Sequence, residues 1–230
     1  MNKTKLDLDK IIFIGRTYEE YIDMFALTEE HLQGKNILDC PAGACSFTAK
    51  AREQGISVTA CDIAYDHSVE ALEKKGQEDI SHALVHMKKA ESNYVWDYFH
   101  NLESLGDHRR TALEDCIRGM EVNRGHYLPV ELPELPFHDQ QFDLTLSAHF
   151  LFMYADRLDV EFHKQTLEEL IRVTKEELRL FPLIDLEGHR YPHLDEIISF
   201  LHDQGCDVEE VNVGYEFQAG GNTMLKVRRL

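Results

Sequence analysis

Runs of apolar residues along this chain switch repeatedly between the two-residue spacing of strands and the three-to-four spacing of helices. Tyr21, Met24, Phe25 and Leu32 recur on one side of a helix predicted over 17–33; Thr17 can cap it, Glu19 and Glu20 suit its first turn, and Gly34 ends it. A first strand is predicted at 36–39, a helix at 46–54 closed by Gly55, and a second strand at 57–62. From 65 to 126 the pattern is helical only, with helices expected at 67–76, 79–89, 92–102 and 107–120. Strand character returns at 127–130 and 142–147. A helix follows at 159–174 with Phe162, Leu167, Leu170 and Ile171 on one side, then an apolar strand at 177–184 and a helix at 193–204 stopped by Gly205. Strands at 207–217 and 223–229 around the Gln218-Ala219-Gly220-Gly221-Asn222 turn predict a closing hairpin.

Strand and helix in alternation imply an α/β fold, with a mostly parallel sheet covered by helices on both faces and an antiparallel hairpin at its end. The 230 residues suit a single domain spanning 1–230. A crossover between neighbouring strands needs one helix, so 65–126 is expected to be a helical insertion after strand two.

Composition narrows the function. The hydrophobic content of 43% supports a real core, and the formal charge of −18 disfavours nucleic acid and anionic membrane surfaces as partners. The N-terminal residues lack the apolar core of about 7–15 residues that a signal peptide carries. No apolar run reaches the roughly 18 residues of a membrane span. Five cysteines, an odd number without paired Cys-x-x-Cys spacing, point to a reducing cytoplasm.

The candidate chemistry begins where the first strand ends. Asp39 is followed by the small-residue turn Cys40-Pro41-Ala42-Gly43-Ala44-Cys45, and about 20 residues on a second apolar run ends in Asp62, the arrangement of a nucleotide-binding βαβ unit. Of the three glycines such turns often carry, only Gly43 is present. A pyrophosphate bound at the helix N-terminus would want the missing glycines and would be repelled by Asp39, which disfavours a nicotinamide oxidoreductase. An acid at that place suits a nucleoside whose tail carries an ammonium group, as S-adenosylmethionine does.

Here the chain resembles the class I S-adenosylmethionine-dependent methyltransferase family. The resemblance rests on Ile37-Leu38-Asp39-Cys40-Pro41-Ala42-Gly43-Ala44, on Asp62, and on Leu135-Pro136-Phe137-His138-Asp139-Gln140-Gln141-Phe142-Asp143-Leu144 before the fourth strand. It covers most of 30–64 and 127–230. It implies a doubly wound, mostly parallel seven-stranded sheet of the Rossmann-like methyltransferase kind, with S-adenosylmethionine as cofactor. Asp39, Pro41, Ala42, Gly43, Ala44, Asp62, Ile63, Glu131, Leu132 and Ser147 would bind the cofactor, with Asp62 on the ribose and Glu131 on the adenine amino group. His149, at the end of the fourth strand, would face the acceptor as a general base. Pro41 and Cys45 stand where the family usually has glycine, and no Asn-Pro-Pro-Tyr-like motif follows the fourth strand. The implied function is methyl transfer to a small molecule or a protein side chain; the alternative is a catalytically inactive methyltransferase-fold module for binding or regulation.

Other residues carry weaker expectations. Arg16, Tyr18 and Tyr21 could close over the methionine carboxylate, and Tyr94, Trp96, Tyr98 and Phe99 could wall an acceptor pocket. His108-Arg109-Arg110 reads as a small basic cluster, with Glu114 one turn from Arg110. His31 is a lesser base candidate. The histidine pairs 82/86 and 189/193 are four apart, but two ligands make an incomplete metal site, so no metal is expected.

Overall fold

The computed structural model describes residues 12–229 and is organised around one short central strand. β1 (Asn36–Asp39) buries Ile37 on one face and Leu38 on the other, as a strand covered on both sides must. β2 (Ser57–Cys61) and β4 (Phe142–Ala148) flank it in parallel, with Ile37 opposite Val58 on one side and Leu144 on the other. β3 (Tyr127–Leu128) lies outside β2 and β5 (Thr174–Phe181) outside β4. With β7 (Thr223–Arg229) and β6 (Cys206–Asn212) the sheet has the order β3-β2-β1-β4-β5-β7-β6. Only β7 runs against the others. The strand order reverses between β1 and β4, and in such sheets a crevice opens there, beyond the carboxyl ends of the strands.

Helices cover both faces. α1 (Tyr18–Met24) and α3 (Phe47–Glu53) pack Tyr21, Met24, Phe47 and Ala51 against Ile37, Val58, Leu144 and Leu146. α6 (Val160–Val173) and α7 (Leu194–Asp203) bury Leu167, Leu170, Ile197 and Leu201 against Leu38, Leu178, Leu180 and Leu225. Between β2 and β3, α4 (Val69–Lys89) and α5 (Leu102–Val122) lie against Ala60 and Tyr127 through Leu72, Ile80, Leu113 and Met120. No helix of the described residues is long and apolar enough to cross a membrane.

Several expected boundaries are corrected. Residues 17–33 form two helices, because the chain turns at Ala26 (φ +46°) and restarts as α2 (Glu29–Leu32). The helices expected at 67–76 and 79–89 are one, α4, which runs through Gly76; a Cβ there would lie 2.5 Å from Leu113 Cδ1, so this glycine serves close helix packing and not a break. The stretch 94–101 is not helical, and α5 starts only where Asn101 accepts the Ser104 N–H at 2.9 Å. β5 begins at Thr174, directly after α6, and ends at Phe181. β6 ends at Asn212, so 213–222 leave the sheet as a loop instead of extending a hairpin strand to 217.

One buried ion pair ties three distant parts of the chain together. Glu20 closes the capping box of α1 by accepting the Thr17 N–H at 2.9 Å, and the same carboxylate takes both Nη atoms of Arg109 from α5 at 2.7 Å. Arg109 also donates to Gly15 O at 3.0 Å, and Tyr215 of the 213–222 loop donates to Glu20 at 2.8 Å. Burial alone would raise the Glu20 carboxyl, but Arg109 holds it below the ordinary glutamate value. Removing one partner leaves an uncompensated buried charge, so Arg109→Met is expected to cost about 3–5 kcal/mol in urea unfolding, and the double variant Glu20→Gln/Arg109→Met clearly less. A double variant as unstable as the single one would show that the charge pairing is not what matters.

Candidate functional site

A cavity of about 120 Å³ opens at the carboxyl ends of β1, β2, β4 and β5. Its floor is Pro41, Ala42, Gly43 and Cys45 from the turn after β1, with Asp62 after β2. Ala148, His149 and Phe150 after β4 and Pro182 after β5 form one side. Ile12, Ile14 and Arg16 cross above it, and Tyr94, Tyr215 and Phe217 close the far end.

The turn is held by its own backbone. Gly43 adopts φ +56°, the left-handed region that favours glycine, and its N–H donates to Asp62 Oδ2 at 2.9 Å. The Ala64 N–H donates to Asp62 Oδ1 at 2.8 Å, so two amides fix this carboxylate although burial pushes its pKa up. Ala42 N–H reaches Cys61 O at 2.8 Å and locks the turn to β2. Asp39 lies fully buried beneath. Its Oδ1 accepts the Tyr21 hydroxyl at 3.0 Å, while Oδ2 has no hydrogen-bond partner among the described residues. Burial pushes the Asp39 carboxyl up to about 7; the Tyr21 bond opposes this and the nearby Asp62 adds to it.

Residues 12–16 form a strap over the turn. Phe13 N–H donates to Asp79 Oδ2 at 2.7 Å, Ser46 N–H to Arg16 O at 3.0 Å, and Arg16 N–H to Cys45 Sγ at 3.2 Å. Cys45 thus occupies a usual glycine place and serves as an acceptor that anchors the strap; burial pushes its thiol up to about 12. The Arg16 guanidinium makes no ion pair among the described residues, and its Nε is buried without a partner. Across the cavity His149 sits at φ +52°, uncommon for a residue with a side chain. Its N–H is held by Phe181 O at 2.6 Å and its ring stands edge-on to Phe181. Nδ1 is buried and unpartnered. Burial, then Arg16 and Arg109, keep this imidazole well below its ordinary pKa and therefore neutral.

Of the residues expected to bind a cofactor, the fold brings Pro41, Ala42, Gly43 and Asp62 around the cavity with His149. Asp39 and Ala44 are buried immediately below, Ala44 beneath Gly15. Ser147 is buried within β4 and does not line the cavity. Ile63, 61% exposed, and Glu131 and Leu132 lie outside it, beyond the ends of β2 and β3, where Val130 N–H bonds Asp62 O at 3.3 Å. Arg16 lines the cavity, but Tyr18 stacks on Phe47 and Tyr21 serves Asp39. Of the four aromatics at 94–99 only Tyr94 reaches the cavity; Phe99 is fully buried, and Trp96 and Tyr98 pack behind it.

The basic cluster at 108–110 dissolves. Arg109 is buried on Glu20, and Arg110 pairs with Asp107 at 2.6 Å instead of Glu114. His31 bonds Thr28 away from the cavity. His82 and His86 sit ring to ring at 4.3 Å, while His189 and His193 pair with Glu187 and Glu196. Among the described residues no three His, Cys, Asp or Glu gather as a metal-binding group. Sequence reasoning missed Gly15, Met87, Tyr154, Tyr215 and Phe217. The Tyr215-x-Phe217 pair was absorbed into a strand, and Ile14-Gly15-Arg16 preceded the first predicted element.

No protein-family model matches the chain. An uncharacterized protein of Methanocaldococcus jannaschii is 33% identical to it over 225 residues, which cover 97% of this chain and 99% of the archaeal one. Two crystal structures of magnesium protoporphyrin IX methyltransferase from Synechocystis PCC 6803 share its fold. The form with bound SAM aligns at a TM-score of 0.51 and 12% identity, over 93% of this chain and 78% of its own. The form with bound SAH aligns at 0.52 and 13% identity, over 92% and 81%.

The strap makes a sharp demand on one residue. A Cβ on Gly15 would stand 1.9 Å from Ala44 O, a backbone atom that cannot swing aside. Gly15→Ala is therefore expected to lift residues 12–16 from the turn and cost about 1–3 kcal/mol. Hydrogen-exchange mass spectrometry should show faster exchange at Arg16 and Ser46; unchanged exchange would refute the strap's fit.

Proposed function

The chain belongs to one family with the Methanocaldococcus jannaschii protein and has the class I S-adenosylmethionine-dependent methyltransferase fold, and we propose that it binds S-adenosylmethionine and transfers its methyl group to a small molecule or protein side chain. The observation that carries this reading is a pair of buried atoms without partners among the described residues, Asp39 Oδ2 beneath the turn and Arg16 Nε in the strap above it. One is acidic and one basic. Together they complement a zwitterion, the ammonium against Asp39 and the carboxylate against Arg16. A pyrophosphate fits poorly, because the Gly43 amide that would meet it is already given to Asp62.

Asp62 keeps lone pairs beyond its two amide bonds for the ribose hydroxyls. The turn from Pro41 to Ala44 forms the floor under the nucleoside, Ile63 and Leu132 flank the base, and Glu131 takes its amino group. Ser147 supports the end of β4 under the acceptor side. When bound, the cofactor supplies a methyl group already activated on a sulfonium, so what the chain must add is the position of the acceptor and a place for its proton. His149, neutral and with Nδ1 free, supplies that place. Five free, buried cysteines suit a reducing cytoplasm.

Calorimetric titration tests the reading. S-adenosylhomocysteine should bind in the micromolar range, and Asp62→Ala should abolish binding. Arg16→Ala should weaken it about tenfold while leaving 5′-methylthioadenosine, which lacks the amino-acid tail, unchanged. No binding to folded protein at millimolar ligand would overturn the proposal. Binding without transfer to any acceptor would favour the inactive module.

The pH dependence follows from Asp39. Its carboxyl titrates at about 7 and must be ionised to hold an ammonium. Protonation below that value removes the charge, so affinity for S-adenosylhomocysteine should fall as pH drops below about 7, approaching about tenfold per unit. Asp39→Asn should bind weakly with a flat profile. An affinity constant from pH 5.5 to 8.5 in the unaltered protein, a range of about three units around that value, would contradict the assignment.

A further inference from the structure

We propose that the acceptor seated between β4, β5 and the 213–222 loop is a flat, largely apolar small molecule that presents an acidic oxygen, phenolic or carboxylic, to Nδ1 of His149. What then happens to the oxygen rests on the methyltransferase reading; the class of molecule rests on the walls.

Those walls are aromatic and aliphatic. Tyr94 and Phe217 stack at 4.6 Å with their planes 13° apart, making one flat side, and Phe150, Tyr154, Met87 and Leu186 complete the lining. Planar rings are met best by such surfaces. The roof is fixed. Arg109 holds the strap at Gly15, and Tyr215 of the loop is bonded to the same Glu20, so both covers hang from one buried ion pair. A protein side chain would bring its own backbone to that roof, which a small ring molecule does not.

Polarity selects the head group. On this side of the cavity Nδ1 of His149 is the buried side-chain atom without a partner among the described residues, and φ +52° fixes the residue in place. The charges that act on it are Arg16 and Arg109, both positive. Asp62, the acid of the cavity lining, belongs to the β2 end, where each oxygen accepts one backbone amide. In the adjoining groove Asp159 caps α6 through Phe162 N–H at 2.8 Å, and Asp185 holds the N–H groups of Glu187 and His189. Beside Nδ1 an ammonium meets Arg16, while among the described residues of the lining the one carboxylate, Asp62, stands at the β2 end. An acidic oxygen meets favourable charge. A phenol donates its O–H to Nδ1 of the neutral imidazole. A carboxylate arrives ionised and accepts from the Nδ1–H tautomer.

Three probes with one body and different heads test this by calorimetry on the full chain, with and without S-adenosylhomocysteine: 2-naphthol, 2-naphthoate and (2-naphthyl)methylammonium. A lysine-containing peptide serves as the fourth. Both oxygen probes should bind at least about tenfold more tightly than the ammonium or the peptide. His149→Asn, which tolerates positive φ, should weaken the oxygen probes about tenfold and S-adenosylhomocysteine less than about twofold. Equal binding of the ammonium or the peptide would overturn the proposal. Binding of S-adenosylhomocysteine with none of the probes would overturn the acceptor class and leave the cofactor reading standing. Oxygen probes that bind to a chain ignoring S-adenosylhomocysteine would support the class and overturn the methyltransferase reading.

Discussion

The buried carboxylate of Glu20 is the constraint on which the site depends. It carries four hydrogen bonds from three separate regions: the cap of α1, the guanidinium of α5 and the hydroxyl of Tyr215 in the last loop. Taking such charges out of water is costly, and a well-packed apolar substitute is often at least as stable. What an ion pair provides and an apolar cluster does not is direction. Bidentate Arg109 fixes the angle between α1 and α5, and its further bond to Gly15 O sets the height of the strap above the turn. Strap, crossover helices and closing loop are thereby placed by one group relative to a sheet that contributes nothing to it.

Beneath the strap the turn solves a problem that its glycine count leaves open. Left-handed backbone is needed at one place, Gly43, and there the glycine is kept. The place held by Cys45 needs no close approach by a ligand, because residue 16 already occupies it and bonds the sulfur. Asp39 and Asp62 then differ in surroundings although the one ends and the other follows a parallel strand. Asp62 spends its oxygens on backbone and is rigid, whereas Asp39 keeps one oxygen free and a pKa near neutrality. A rigid acid suits neutral hydroxyls. A free, poised one suits a cation.

The sheet was legible because its buried strands carry apolar residues either side by side, as at Ile37-Leu38, or at every second position, as at Phe142, Leu144 and Leu146. The seven-stranded, mostly parallel sheet followed from the resemblance, and both acids of the turn were visible as strand-ending carboxylates. What stayed hidden depends on contacts far apart in sequence. Arg109 looks like a surface arginine beside Arg110 until α5 is docked on Glu20, a partner 89 positions away. Gly76 looks like a helix stop, and only the nearness of Leu113 shows otherwise. Tyr215 and Phe217 carry strand-like spacing, yet the loop leaves the sheet and meets Tyr94 instead.

The charge of the whole chain says little about the charges that face the cavity, where Arg16 and Asp62 both line the wall. A net −18 is spread over the surface, where salt screens it beyond roughly 8–10 Å. Inside, the Arg16 guanidinium makes no ion pair among the described residues, and Arg109 is held bidentately by Glu20. At low effective dielectric a few such charges outweigh many distant ones, since the Coulomb term scales inversely with both distance and dielectric. The surface charges therefore act weakly inside, while the few charged groups beside the cavity set the field within it. The net charge of a chain thus does not decide which sign of ligand a buried site accepts; the pairing and burial of the few charges around that site do.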